Sequence, residues 1–404
     1  MSPSPHPQAP IVVIGSGLAG WTTVRELRKL DATCPITLIT ADSGDFYAKP
    51  TLSNALAQKR TPEQLVTTPA ANIAQTLGVT LLAHTRVERV NTTQFTVSFT
   101  VNSAPTTLPY HSLVLATGAQ AIRVPLQGDA VNQVLSVNSL QDYSVFHARL
   151  TVISSSENNS KSKLPSVLIM GAGLIGCEFA NDLASAGHPV RVVDPAARAL
   201  AALLPEDTSA QLQTALQDLG IRFELGQTVV AVNRNASPSD AALRITLSGG
   251  ESVDADVVLS AIGLRADTAL AQAAGIACER GIVVDAQLQT SAPGVYALGD
   301  SAQYQAAGSR TLPYVMPIMT AARALAATLA GQATEVKFPL MPVAVKTPAL
   351  PLTIAPPSPG TSGGWQTSDA GEWHWRDDAS TLRGFTLAGA ATPRRAKLTA
   401  MVAL

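Results

Sequence analysis

Cysteine is scarce: Cys34, Cys177 and Cys278 are the only three in 404 residues, far apart and without a C-x-x-C pair. That spacing excludes a structural disulfide framework, a cysteine zinc site and a redox-active dithiol. Charge is thin as well, at 14% of residues with a formal net charge of −1, so nothing at whole-chain level recommends nucleic acid or an anionic membrane as partner. No stretch reaches the ~18 uninterrupted apolar residues of a membrane-spanning helix, and no membrane insertion is expected. The start, Met-Ser-Pro-Ser-Pro-His-Pro, has no basic region followed by an apolar one, so a cytoplasmic protein is expected. The six histidines are scattered, and His374, between Trp373 and Trp375, has no co-ligand in the pattern, so no metal is expected.

What is present is apolar sequence, 46% of residues, in a chain long enough for two or three domains. After the Pro-rich start, expected to be disordered, residues 11 to 14 (Ile-Val-Val-Ile) run unbroken into glycine, which predicts a strand buried on both faces. A helix from Gly20 to Leu30 and a strand from Ile36 to Ile39 complete a βαβ unit of about 30 residues. The arrangement recurs at 167–193, with an apolar strand, glycines, a helix through about Ala186 and a second strand. Between the two, the polar, Ser-rich residues 151–165 read as a flexible surface insertion. Beyond residue 331 the chain turns proline-dense, with short alternating runs at Val343 and Leu350 and then Trp365, Trp373 and Trp375. That composition predicts a small domain of irregular antiparallel strands, with the tryptophans as its core or as a docking surface.

Two glycine motifs carry the chemistry. In Gly15-Ser-Gly-Leu-Ala-Gly20, Gly15 permits a tight turn, Gly17 lets a pyrophosphate approach the backbone, and Gly20 allows close packing of helix on strand. The N–H groups of Ser16, Gly17, Leu18 and Ala19 lie where a helix N-terminus favours phosphate. The acid expected ~20 positions on to grip a ribose is absent. Thr40 stands at the end of the second strand, with Asp42 two residues later as a substitute. The second motif, with Gly171, Gly173, Leu174, Ile175 and Gly176, does carry its acid, Asp194. A carboxylate there accepts a bond from the 2′-OH of NADH and repels the 2′-phosphate of NADPH, so NADH is the expected donor, with Arg191 pulling against that preference. Two further strands end in turns that suit the first site: one in Ala116, Thr117 and Gly118, against a flat ring, and one in Gly299 and Asp300, whose carboxylate suits a ribityl chain. With the first glycine turn they point to FAD there rather than a second NAD.

With these residues in view, the chain resembles the FAD-dependent pyridine nucleotide reductases, and among them the bacterial rubredoxin–NAD reductases of alkane oxidation. The resemblance rests on Thr-Ala-Asp-Ser-Gly-Asp-Phe-Tyr-Ala-Lys-Pro-Thr-Leu-Ser, Gly-Cys-Glu-Phe-Ala-Asn-Asp-Leu, Tyr-Ala-Leu-Gly-Asp, Tyr-Val-Met-Pro-Ile-Met and Val-Lys-Thr-Pro, between residue 11 and about 355. It implies an α/β fold of two Rossmann-like FAD- and NAD-binding domains with a small C-terminal α+β domain. The expected boundaries are 8–120 with 285–338 for FAD, 121–284 for NAD, and 339–404 for the small domain near the flavin. By matching motifs, Lys49 lies at the flavin's reactive edge and pairs with Glu178 beside the nicotinamide. The plain alternatives are a turn-capping Lys49 and a solvated helix acid at 178. A helix starting at Pro317 would turn its positive end toward the flavin ring. Lys346 is a second candidate for that charge, against a solvated surface lysine. Pro50, Val87, Gly263 and Val315 complete the expected cofactor-binding positions.

The implied reaction runs from NADH through FAD to rubredoxin, a one-electron iron protein, in service of an alkane hydroxylase, by a monomer. The missing dithiol disfavours the disulfide-reductase branch, and Cys177 reads as core. The alternatives are a ferredoxin, a flavorubredoxin or dioxygen as acceptor, or a non-catalytic NADH-responsive flavoprotein. The last would want a basic surface stripe. The one basic cluster, Arg394, Arg395 and Lys397, reads as a solvated tail.

Overall fold

A computed structural model describes residues 8–155, 164–235 and 241–403. The chain forms two compact units. One comprises the residues through Ala48, Val66–Gln120 and Leu264–Pro339; the other comprises Lys49–Leu65, Ala121–Gly263 and Leu340–Leu404.

The first unit is built on a five-stranded parallel sheet in the order Val295–Ala297, Ser112–Leu115, Ile11–Ile14, Ile36–Ile39, Thr80–Leu82. Every residue of the strand Ile11–Ile14, and every residue of Ile36–Ile39 and Ser112–Leu115, is buried. An unbroken β-branched and Leu run is what a strand covered on both faces requires. The helices Leu18–Leu30 and Val315–Leu329 belong to this unit, as does an antiparallel sheet of Val87–Asn91, Thr96–Val101 and Ala104–Pro109.

The second unit repeats the plan. Its parallel sheet runs Val134–Leu135, Val257–Ser260, Val167–Met170, Val190–Asp194, Arg222–Leu225. Helix Leu174–Ser185 follows the central strand, and an antiparallel sheet of Val229–Arg234, Leu243–Leu247 and Ser252–Ala255 matches that of the first unit. The same unit holds a five-stranded antiparallel sheet in the order Val343–Val345, Leu352–Ala355, Leu382–Ala388, Glu372–Arg376, Gly364–Asp369, followed by the helix Arg395–Met401.

Several elements differ from the sequence reading. The first glycine helix begins at Leu18, not Gly20, with Gly17 as its cap. The helix expected to start at Pro317 begins at Val315. Proline is tolerated at this third position because the first four N–H groups of a helix have no intrahelical partner to lose. Residues 151–155, read as linker, are the end of the helix Leu140–Ser155; 156–163 of that stretch lie outside the described residues, as do 1–7 of the Pro-rich start. Tyr143, Phe146 and Leu150 explain the helix, since all three are buried at helical spacing and Phe146 packs edge-to-face on Phe179, with centroids 6.0 Å apart. The basic cluster is not a tail: Arg394 pairs with Asp369 at 2.8 Å and Glu372 at 3.0 Å, and Arg395 and Lys397 stand on the last helix.

Segment allegiance shifts too. Residues 264–284, read with the second nucleotide site, group with the first unit, where Ala271, Ile276, Ile282 and Val284 enter its core. Residues 49–65 and 340–404, read with the first site and as a separate domain, group with the second. Among the described residues no helix is long and apolar enough to cross a membrane.

Candidate nucleotide sites and their polar network

The three glycines of the first motif each answer a separate steric demand. Gly15 has φ +108°, and a Cβ there would lie 2.2 Å from the carbonyl oxygen of Ala116. At Gly20 a Cβ would lie 1.9 Å from the carbonyl oxygen of Gly15, whereas at Gly17 it would meet nothing within 4 Å. Gly15 and Gly20 therefore allow the turn to close, and Gly17 leaves open backbone at the start of a 13-residue helix. The second motif repeats the pattern. Gly171 has φ +108° with Ala261 O 2.6 Å from a Cβ, Gly176 would meet Gly171 O at 2.0 Å, and Gly173 is open. Open backbone at a helix N-terminus, with N–H groups unpaired and partial positive charge, fits a pyrophosphate.

In the first unit, which lacks an acid at the end of its second strand, Ser16, Thr40 and Asp42 form a hydrogen-bonded cluster beside the glycine turn. Asp42 Oδ1 accepts from Thr40 Oγ1 at 2.6 Å, from Ser16 Oγ at 3.0 Å and from the Gly44 amide at 3.0 Å, while Ser16 Oγ and Thr40 Oγ1 stand 2.8 Å apart. Asp42 is exposed, so its carboxylate closes the loop on one side and faces solvent on the other. Elsewhere in the unit, Ala116 donates its amide to Ile14 O at 2.9 Å and Thr117 Oγ1 donates to Asp267 O at 2.8 Å. Gly118 and Gly299 both have left-handed φ, +73° and +79°. Asp300 follows Gly299 in a short 3-10 turn, Val315 is the first residue of its helix, and Val87 opens the strand Val87–Asn91.

In the second unit Gly171, Gly173, Leu174, Ile175, Asp194 and Gly263 all line one cavity of ≈ 840 Å³. Asp194 Oδ2 accepts the Ala172 amide at 2.7 Å and its Oδ1 accepts the Ala196 amide at 2.7 Å, which fixes the carboxylate at the mouth of the glycine loop. Arg191, which weakened the case for NADH on sequence, is ion-paired with Glu224 on the neighbouring strand. Its charge is thereby partly answered before any phosphate arrives.

Glu178 is paired with Lys346, which the sequence reading offered only as a second candidate for charge near the flavin. Glu178 is only 2% exposed, which rules out the solvated reading. Its Oε2 is 2.7 Å from Lys346 Nζ and accepts Ser53 Oγ at 2.7 Å, and its Oε1 accepts the Lys346 amide at 2.9 Å. Lys346 Nζ also donates to Ser53 Oγ at 2.8 Å and to the carbonyl of Pro50. Lys346 is therefore no free surface lysine but the clasp of a buried network. Lys49 Nζ donates to Asn138 Oδ1 at 2.8 Å.

The same helix face holds two residues that sequence reasoning missed. Asn181 Oδ1 accepts the Ala349 amide at 3.0 Å, and Asp182 accepts the amides of Leu56 at 3.0 Å and Ala57 at 2.9 Å. Burial pushes Asp182 above the usual carboxylate range, although those amides and the Lys346 charge pull the other way. Spacings of three and four from Glu178 put all three on one helical face, and that was the available signal.

Cys177 is fully buried and its thiol is pushed up to about 12, chiefly by burial, so it behaves as core and not as a redox group. His374 is buried with Nε2 2.7 Å from Glu372 Oε1, and among the described residues no group of three or more His, Cys, Asp or Glu could hold a metal. Trp373 is buried, and it lines a cavity of ≈ 700 Å³ together with Pro356, Pro357, Trp365 and Trp375, the last two edge-to-face at 5.5 Å.

Comparison with known proteins agrees with this geometry. A rubredoxin-NAD(+) reductase of Acinetobacter baylyi is 43% identical over 397 residues, 97% of this chain and 98% of the relative. A nitric oxide reductase FlRd-NAD(+) reductase of Vibrio vulnificus is 43% identical over 346 residues, 86% of this chain and 85% of the relative. Among solved structures, a ferredoxin reductase from Rhodopseudomonas palustris superposes with a TM-score of 0.83 at 25% identity, covering 98% of this chain and 96% of its own. Residues 335–402 match the rubredoxin binding C-terminal domain. Residues 9–327 match the pyridine nucleotide-disulphide oxidoreductases, and with two glycine cradles on duplicated parallel sheets the chain belongs to that family.

Proposed function

We propose that this chain is an NADH-dependent flavoprotein reductase that holds FAD at the Gly15–Gly20 turn and NADH at the Gly171–Gly176 turn, and delivers electrons to rubredoxin. The observation that carries the proposal is the pair of glycine cradles, each with open backbone at its middle glycine. When bound, FAD takes two electrons from NADH as hydride and can release them singly, which is the chemistry a one-electron iron carrier needs.

The chain's own residues bind and orient. Ser16, Gly17, Leu18 and Ala19 offer backbone to the FAD pyrophosphate, with Thr40 and Asp42 at the adenosine ribose. Ala116, Thr117 and Gly118 border the ring, Gly299 and Asp300 serve the ribityl hydroxyls, and Val87 and Val315 complete the pocket. Gly171, Gly173, Leu174, Ile175, Gly176 and Gly263 receive NADH, and Asp194 accepts from its ribose. Lys49, Pro50, Glu178 and Lys346 are assigned to the reacting end, with Glu178 acting through the lysine it holds. Alignment of two bound reactants is the main contribution such a site makes.

Replacing Glu178 with Gln keeps the shape and a hydrogen-bond acceptor but removes the charge opposite Lys346. Flavin reduction by NADH is expected to slow by roughly tenfold, about 1.4 kcal/mol of barrier, with FAD still bound. Anaerobic stopped-flow that follows the loss of the oxidised flavin's visible absorbance measures this. An unchanged rate would remove Glu178 from the mechanism.

Rubredoxin is favoured over a flavorubredoxin because residues 335–402 match a rubredoxin-binding domain and the rubredoxin reductase relative is covered almost end to end. Steady-state NADH oxidation with rubredoxin, a ferredoxin and air as alternative acceptors tests the assignment. Turnover on rubredoxin should exceed the others, and equal turnover on ferredoxin would overturn it. Service of an alkane hydroxylase belongs to the proposal and is supported by the sequence resemblance; a cytoplasmic location and a monomeric state are proposed with it.

A further inference from the structure

The turn that presents Asp300 is held by a side chain that lies four residues beyond it and outside both glycine motifs. Tyr304 is fully buried, and its hydroxyl accepts the Gly299 amide at 2.7 Å and donates to the Gly299 carbonyl oxygen at 3.3 Å. Both backbone groups of one residue thus close on one hydroxyl. Gly299 has φ +79°, and a Cβ there would stand 2.9 Å from Ala19 Cβ, so this turn lies directly against the helix of the first glycine motif. The tyrosine is fixed in its turn. Its strand, Ala302–Tyr304, runs parallel to Ile282–Val284, its amide donates to Arg310 O at 2.9 Å, and its ring packs edge-to-face on Phe338 at 4.9 Å. Burial pushes the phenol well above its ordinary range, so it stays a neutral donor and acceptor at any working pH.

We propose that Tyr304 is a positioning residue for FAD: its hydroxyl locks the peptide planes on either side of Gly299, and so sets where the Asp300 carboxylate meets the ribityl hydroxyls. The proposal rests on the FAD reading of the first site. A glycine with left-handed φ has neighbouring conformations open to it that other residues lack, so a turn built on Gly299 needs an external lock if Asp300 is to be held in one place. Without the hydroxyl, a buried amide loses its partner and the turn is free to relax.

The test is a double-mutant cycle on FAD affinity, using apo-protein titrated with FAD and read by quenching of flavin fluorescence. Wild type must first bind FAD; if it does not, the reading of the site fails and not the clamp. Tyr304→Phe is expected to weaken FAD about tenfold and to shift the visible spectrum of the bound flavin. Asp300→Asn is expected to weaken FAD by at least as much. Because Tyr304 acts through Asp300, Tyr304→Phe should add less than about twofold in the Asp300→Asn background. Full additivity, or a Tyr304→Phe protein with wild-type affinity and spectrum, would overturn the proposal. Should Tyr304→Phe not fold, hydrogen exchange on the wild-type apo-protein decides: a protected Gly299 amide supports the clamp, and exchange as fast as in an open loop refutes it.

Discussion

Gly17→Val and Gly173→Val should each empty one nucleotide site and spare the other. A Cβ at either position meets nothing within 4 Å, and both backbones are extended, with φ −66° and −75°, so valine is accommodated without strain. Stability should change by less than about 0.5 kcal/mol, as for a surface substitution. The added side chain instead occupies the space where a pyrophosphate would meet backbone N–H groups. Gly17→Val should purify colourless yet still bind NADH, with FAD affinity down by roughly 100-fold or more, about 2.7 kcal/mol. Gly173→Val should purify yellow, bleach with dithionite and fail to bleach with NADH. Absorbance spectra with each reductant are sufficient to read both. A Gly173→Val protein reduced by NADH at the wild-type rate would place the donor elsewhere.

Asp194→Ala should erase the choice between NADH and NADPH. The carboxylate orders two loop amides, at Ala172 and Ala196, and gives the adenosine ribose an acceptor that a 2′-phosphate would be repelled by. Losing both should lower the NADH-to-NADPH ratio of kcat/KM by about 10- to 100-fold, equivalent to about 1–3 kcal/mol. The single change should level the two donors and not reverse them, because Arg191 stays engaged by Glu224. Adding Glu224→Gln frees that guanidinium and should raise NADPH use further. An unchanged ratio in Asp194→Ala would mean that the ribose is gripped by other residues.

How much of this was legible in the sequence follows the range of the interactions. Both parallel sheets were, because buried strands such as Ile11–Ile14 and Val167–Met170 are written as unbroken apolar runs ending in glycine. The glycine roles were legible as well, since a tight turn and an open cradle are local demands. The antiparallel character of the C-terminal sheet showed in the short alternating runs around Val343 and Leu352. What escaped depends on contacts distant in sequence. Glu178 meets Lys346 across 168 residues, and nothing in the spacing distinguishes that lysine from Lys49. Asp42 was visible as a substitute acid, but its hold on Ser16 and Thr40 required the loop in three dimensions. Tyr304 carried no signal in the sequence, since its strand, Ala302–Tyr304, is short and carries Gln303. The helix through residues 151–155 was hidden because its polar end says loop, whereas Tyr143, Phe146 and Leu150, one or more turns earlier, decide the matter by burial.

The central claim, a path from NADH through a bound flavin to rubredoxin, is most directly tested in one anaerobic cuvette. Adding NADH to the purified yellow protein should bleach the flavin, and adding oxidised rubredoxin should restore the yellow colour as rubredoxin is reduced, with two rubredoxins reduced for each NADH consumed, as expected when a two-electron donor feeds a one-electron carrier. A protein that bleaches with NADH but stays bleached when rubredoxin is added would contradict the account.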